Sequence, residues 1–263
     1  MSIVTPTPRE VQAAALADRL AGKHDLADRI RLIAGTVRGR IAFSTSLGIE
    51  DQAILHAIAD SGTAIDVFTL DTGRLFPETI DTLAASELRY GIKVHVLAPA
   101  SADVESLVAR DGVLGFRASI EARKACCHVR KVAPLKRGLT GAAAWITGLR
   151  REQTTGRAQV PFAAWDGEHS LIKLNPIADW PLARLEAYVA SNRIPVNPLH
   201  AHGFPSIGCQ PCTRALRPGE DIRAGRWWWE NEDGKECGLH TSRRDLARSE
   251  QAKEVPTAKV AAR

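Results

Sequence analysis

The stretch Arg40–Asp51, RIAFSTSLGIED, decides the fold. Arg40–Ser44 is a short β-like run, and from Glu50 to Ala59 the apolar positions recur at helical spacing. Between them lies a polar loop, Thr45-Ser46-Leu47-Gly48. Working outward, the same strand–loop–helix unit repeats. Ile65–Leu70 (IDVFTL) predicts a second strand, followed by the turn Asp71-Thr72-Gly73-Arg74 and a helix from about Pro77, a residue favoured in a first helical turn. Lys93–Leu97 predicts a third strand, and Ala143–Thr147 a fourth that ends at Gly148-Leu149-Arg150-Arg151. Residues 8–34 read as an amphipathic helical lead-in. Strands alternating with helical segments mean an α/β fold with a doubly wound, mainly parallel sheet.

In open α/β sheets, ligands bind beyond the C-terminal ends of the strands. The loops 44–51, 71–76 and 148–157 are therefore expected to converge on one pocket. From about Pro195 the periodicity gives way to Pro-, Gly-, His- and Trp-rich sequence. The chain is expected to divide into an α/β body, residues 1–213, and a mobile C-terminal segment, residues 214–263, with a loose tail over 241–263.

The 263 residues are 44% hydrophobic and 25% charged, which excludes disorder, collagen-like repeats and coiled coil as global descriptions. No apolar run approaches the roughly 20 residues that span a bilayer. Glu10 precedes any apolar stretch, so the N-terminus does not read as a signal peptide, and a soluble cytoplasmic protein is expected. The net charge of +5 is concentrated: eight basic residues and one acidic residue lie between Glu121 and Arg151. A solvated surface, nucleic-acid binding or an anionic small substrate would each account for that.

The loop 44–51 reads as an anion cradle at a helix N-terminus or as a plain helix start, and it is not a Walker A motif. The cysteines speak more clearly. They number five, an odd count that argues against a fully paired disulfide framework. They fall as a doublet, Cys126-Cys127, a Cys209-Gln-Pro-Cys212 pair, and Cys237. Four thiolates from two clusters suit a tetrahedral metal centre, either a structural zinc or a four-iron cluster. Neighbours on a helix diverge by roughly 100 degrees, which favours the wider cluster over one small ion. Cys237 sits in a polar, Gly-flanked segment with His240 three residues on, which suits a nucleophile or an idle thiol. The run Trp227-Trp228-Trp229 reads as core or docking surface more readily than as a base-stacking platform. His200 and His202 read as loop histidines.

Four segments together resemble assimilatory adenylyl-sulfate (APS) reductase, close kin of the phosphoadenylyl-sulfate (PAPS) reductases. They are Lys124-Ala-Cys126-Cys127-His-Val-Arg130-Lys131, Gly208-Cys209-Gln-Pro-Cys212-Thr-Arg214, Gly225-Arg-Trp-Trp-Trp-Glu230 and Glu236-Cys237-Gly-Leu-His240. The resemblance runs from about residue 40 to 240. It implies an adenine-nucleotide α-hydrolase-like fold related to the PP-loop pyrophosphatases, and reduction of APS to sulfite and AMP with thioredoxin as electron donor. It implies a [4Fe-4S] cluster, one per chain, on Cys126, Cys127, Cys209 and Cys212. It makes Cys237 the nucleophile that becomes an S-sulfocysteine, with His240 beside it. By motif position Lys131, Arg223, Arg226 and His240 correspond to phosphosulfate contacts, and Ser44 and Ser46 to the modified PP-loop. Leu70 and Gly148 correspond to backbone contacts with adenosine, and Arg151 to an arginine-containing loop. The resemblance carries no nucleic-acid or membrane partner, and members of the family often form homo-oligomers.

One departure from the wider fold matters. PP-loop ATPases carry an SGGxDS-type loop, whereas STSLGIED has no second glycine beside its first serine, which weighs against ATP hydrolysis. Three rival readings remain at this stage: a PAPS or dual-specificity reductase, a PP-loop RNA-thiolating enzyme, and a zinc-stabilised binding module.

Overall fold

The structure is a computed structural model that describes residues 5–230. Thr7 opens α1 (Pro8–Ala21): its hydroxyl accepts the Glu10 N–H while the Glu10 carboxylate accepts the Thr7 N–H. The expected helical lead-in is two helices, because the chain breaks at Gly22–Asp25 and Asp25 caps α2 (Leu26–Thr36) by accepting the Asp28 N–H at 2.9 Å. β1 (Arg40–Thr45), α3 (Ile49–Ser61), β2 (Asp66–Leu70), α4 (Pro77–Tyr90) and β3 (His95–Leu97) follow as expected. Next come α5 (Ser101–Asp111), α6 (Ile120–Cys127), a π-helical turn at His128–Val132, and α7 (Ala133–Leu139). β4 (Ala142–Ile146) is the fourth expected strand, and β5 (Ala163–Asp166), β6 (Leu171–Leu174) and α8 (Leu182–Ser191) complete the regular elements.

The six strands form one sheet in the order β3-β2-β1-β4-β6-β5. Every pairing is parallel except the β5–β6 hairpin, so the sheet is mainly parallel, with an antiparallel edge. β1 lies at the centre and is buried along most of its length, as a parallel strand covered on both faces must be. Phe43 on β1 and Ile146 on β4 are paired and fully buried in the main core. The chain winds outward from β1 through β2 to β3, then returns to the other side of β1 with β4. The switch point therefore falls between β1 and β4, and there the C-terminal ends of the strands leave a crevice.

α6, the π-helical turn and α7 run consecutively. The wider turn begins immediately after Cys126-Cys127, and such turns recur at functional sites. Residues 214–230 close back on the Cys209–Cys212 turn: Thr213 bridges to Arg226, and the Trp227 N–H donates to the Cys212 carbonyl at 3.1 Å. No helix among the described residues is long and apolar enough to cross a membrane.

Candidate active site

The three expected loops do meet. At the C-terminal ends of β1, β2 and β4 they enclose an inner cavity of about 140 Å³. Hydroxyls of Ser44, Ser46 and Thr69 line one side of it, and Leu70, Leu75, Leu135 and Trp145 make its apolar part. Trp145 Nε1–H donates to Ser44 Oγ at 2.7 Å. That bond occupies a lone pair of the serine and leaves its proton to donate elsewhere. Thr69, in contrast, spends its proton on the Thr45 carbonyl, at 2.8 Å.

The loop after β1 is not an open anion cradle. Both donors of Ser46, N–H and O–H, go to Asp51 Oδ2 at 2.6 Å. Glu50 and Asp51 already place two acidic groups on the first turn of α3, where they offset the positive helix end. Glu50 Oε1 accepts from Arg150 Nε and Nη2 at 3.2 and 3.0 Å, and from Gln153 Nε2 at 3.0 Å, tying the loop after β4 to the loop after β1. Burial pushes the Asp51 carboxyl up to about 6, against the Ser46 hydrogen bonds that favour its charged form. Gly148 lies so close that a Cβ there would overlap Asp51 Oδ1, which requires glycine at this position.

An outer cavity of about 300 Å³ adjoins the first and shares Ser46, Asp51, Lys131, Gly148 and Ile207 with it. Basic side chains outnumber acidic ones on its wall: Lys131, Arg150, Arg157, Arg223 and Arg226 stand against Glu50, Asp51 and Glu152. The Arg226 guanidinium lies against Gly208, where any Cβ would overlap it, and stacks on the Trp227 ring at 4.7 Å. Together the two cavities reach the size of a small-molecule site, apolar within and positive without.

The four cysteines of the doublet and the CxxC pair line one further cavity, with Phe116, Trp227, Arg130, Lys131 and Arg226 among its walls. No disulfide joins any two of them. Among the described residues no three His, Cys, Asp or Glu side chains converge closely enough to share a single metal ion. A tetrahedral zinc, with Zn–S near 2.3 Å, would need sulfurs about 3.8 Å apart. Two buried donors of the cavity wall, Arg130 Nε and Trp227 Nε1, have no acceptor among the described residues. Spread thiols plus unsatisfied donors fit a bulky, anionic, polynuclear group better than one ion. Burial pushes the Cys126 thiol up, and the Cys212 thiol up to about 12. Burial acts on Cys209 in the same direction, but Lys131, the Thr72 hydroxyl, Arg226 and Arg74 together hold it below its ordinary value. Behind the cavity, the Arg123 guanidinium donates to Glu230 Oε1 at 2.6 Å and stacks on Trp227 at 4.5 Å, all three buried.

The structure thus brings Ser44, Ser46, Leu70, Lys131 and Gly148 together around the inner cavity, and Arg223 and Arg226 around the outer one. Arg151 lines neither: its Nε donates to the Val160 carbonyl at 3.0 Å and its guanidinium stacks on Phe162. Its neighbour Arg150 and the later Arg157 face the outer cavity instead. Sequence reasoning also missed Asp51 and Trp145. Asp51 had a signal, an acidic residue following the polar loop, whereas Trp145 looked like any core residue of a strand. His200 lines the outer cavity with Nδ1 at 2.9 Å from the Phe204 carbonyl, and His202 is exposed. Trp227 is buried core and Trp228 partly exposed. Cys237 and His240 lie outside the described residues.

A crevice at the switch point of a doubly wound sheet, apolar at its inner end and cationic at its mouth, is the arrangement of an α/β protein that takes an anionic, nucleotide-sized ligand. The sequence pattern of the phosphoadenosine phosphosulfate reductase domain matches residues 40–215, and the chain belongs to this family. It is 53% identical over 239 residues to an adenosine 5'-phosphosulfate reductase of Agrobacterium fabrum, covering 91% of each chain. It is 56% identical over 216 residues to one of Rhizobium meliloti, covering 82% of this chain and 81% of that protein. The crystal structure of a phosphoadenylyl-sulfate reductase from Candida auris, a phosphate complex, superposes with a TM-score of 0.67 at 22% identity, over 80% of this chain and 98% of that one. That last likeness establishes the fold.

Proposed function

We propose that the chain is a thioredoxin-dependent adenylyl-sulfate reductase of sulfate assimilation, which works in the cytoplasm and releases sulfite and AMP. One observation carries the reading. Lys131 lines the inner, outer and cysteine cavities at once, so a single ammonium serves both an anionic ligand and a thiol-lined centre. The names of the relatives support adenylyl sulfate, rather than its 3'-phosphorylated form, as the substrate.

In this reading the adenine enters the inner cavity beside Trp145 and the backbones of Leu70 and Gly148. The phosphosulfate faces Lys131, Arg223 and Arg226, which offset its charge and the charge that develops on the leaving AMP. The Cys237 thiolate, with His240 three residues on in the sequence, attacks the sulfate sulfur. A sulfur–sulfur bond forms, the bond from sulfur to the bridging oxygen breaks, and its electron pair leaves with AMP. A thioredoxin thiolate then attacks the Cys237 sulfur and sulfite departs. The second thioredoxin thiol resolves the mixed disulfide, leaving oxidised thioredoxin and the Cys237 thiol.

Cys126, Cys127, Cys209 and Cys212 would hold a [4Fe-4S] cluster, which when bound supplies a fixed, polarisable negative charge beside Lys131. The spread of the thiols and the unsatisfied Arg130 and Trp227 donors support that group. Of the segment 214–263 expected to move, residues 214–230 are held by Trp227 and the buried Arg123–Glu230 pair, and the remainder lies outside the described residues. Cys237→Ser tests the function. Sulfite release should fall by at least about a thousandfold, with AMP affinity and iron content unchanged. Substantial residual sulfite release would remove Cys237 from the chemistry.

A further inference from the structure

Asp51 is a buried carboxylate with work left to do. It stands on the first turn of α3 and is only 7% exposed, yet it lines both the inner and the outer cavity and so marks their junction. Its Oδ2 takes both Ser46 donors at 2.6 Å. Its Oδ1 accepts no hydrogen bond among the described residues and lies against Gly148, whose missing side chain keeps that oxygen uncovered. No cation forms an ion pair with Asp51 there, and the neighbouring charge is another carboxylate, Glu50. The buried side chain thus presents to the ligand cavity one uncovered oxygen that no protein donor among the described residues occupies, where a ligand donor can bind it.

The walls say which part of the ligand arrives. The inner cavity has an apolar part, Leu70, Leu75, Leu135 and Trp145, beside its hydroxyls, and suits a base. The outer cavity carries Arg223 and Arg226 and suits the anionic end. A nucleotide laid across the two puts its sugar at their junction, against Asp51 Oδ1. We propose that Asp51 reads the ribose: Oδ1 accepts one of its hydroxyls, and the carboxylate excludes nucleotides that carry a phosphate on that hydroxyl. This rests on the sulfonucleotide reading above and adds the residue that selects adenylyl sulfate over its 3'-phosphorylated form. A hydroxyl donates to the carboxylate, whereas a phosphate there offers only negative charge, and like charges brought together in a buried site are strongly disfavoured. Burial pushes this carboxyl up to about 6, so it is ionised at neutral pH and a ligand hydroxyl would relieve its isolation.

The test is calorimetric titration of the holoprotein, wild type and Asp51→Asn, with five probes. These are AMP, 2'-deoxy-AMP, 3'-deoxy-AMP, adenosine 2',5'-bisphosphate and adenosine 3',5'-bisphosphate. On the wild type one deoxy nucleotide should bind at least about tenfold more weakly than AMP, and the bisphosphate substituted at that same position at least about a hundredfold more weakly. In Asp51→Asn the deoxy penalty should shrink to within about threefold, and that bisphosphate should gain at least about tenfold relative to AMP. If both deoxy nucleotides bind the wild type as AMP does, or the bisphosphate-to-AMP ratio is unchanged in the variant, the assignment of Asp51 fails while the proposed reaction stands. Wild-type protein that binds neither AMP nor adenylyl sulfate overturns the reaction and the assignment together. Should Asp51→Asn not fold, the wild-type deoxy series decides alone.

Discussion

Replacing Asp51 by Asn should make the protein more stable at high pH and less stable at low pH. The carboxyl is pushed from its ordinary 3.8 to about 6, with burial as the largest cause. Because its folded value lies above its unfolded one, the native state binds more protons than the unfolded chain over that interval. Wild-type stability therefore falls as pH rises from about 4 to about 6, and the loss is complete above that window. The interval from 3.8 to about 6, at about 1.36 kcal/mol per pH unit, amounts to about 3 kcal/mol near pH 8 and about 1 kcal/mol near pH 4.5. Asn abolishes the titration but accepts the two Ser46 donors as a neutral group, a loss of about 1–2 kcal/mol at every pH. The stability difference between variant and wild type should thus swing by about 2 kcal/mol between pH 4.5 and 8 in favour of the variant. In thermal melts at one scan rate that is roughly 4–8 °C for a chain of this size. A difference that stays flat across this range, or that moves against the variant as pH rises, would refute the account of Asp51 as a buried, ionisable carboxyl.

Glu230→Ala leaves the Arg123 guanidinium, buried beside Trp227, without its carboxylate, and should cost about 3–5 kcal/mol, read as a lowered urea midpoint. Gly148→Ala places a methyl on Asp51 Oδ1 and within 3.0 Å of Glu50 Cβ, so AMP affinity measured by calorimetry should drop at least about tenfold. Lys131→Ala should lower kcat/KM for adenylyl sulfate at least about a hundredfold while the melting temperature moves by no more than about 3 °C.

Much of the framework was legible because it is local. β1, β2 and β4 are short apolar runs closed by polar loops, and the rule that ligands gather at strand C-termini led directly to the cavity between them. The cysteine doublet and the CxxC pair were legible as one centre from composition and spacing, although they lie 82 residues apart from Cys127 to Cys209. The β5–β6 hairpin was not legible: β6 is buried at three of its four positions and shows no alternation to mark a half-exposed strand. The basic stretch after Glu121 read as surface charge or anion binding. In it Arg123 is buried against Glu230, 107 residues away, and Arg130 donates to the Thr72 carbonyl at 2.7 Å, 58 residues away. Pairings over such distances leave no local pattern. Arg151 and Arg150 are adjacent, and only the turn after β4 decides which one faces the cavity.

The central claim is that the crevice hands a sulfonucleotide to Cys237. It is tested most directly by mixing the reduced holoprotein with adenylyl sulfate in the absence of thioredoxin, then recording intact and peptide masses alongside released AMP. The account predicts one added sulfonate per chain, on the peptide that contains Cys237, one AMP released for each, and loss of the adduct as sulfite when reduced thioredoxin is added. An unmodified chain, or a sulfonate on any other cysteine, would contradict it.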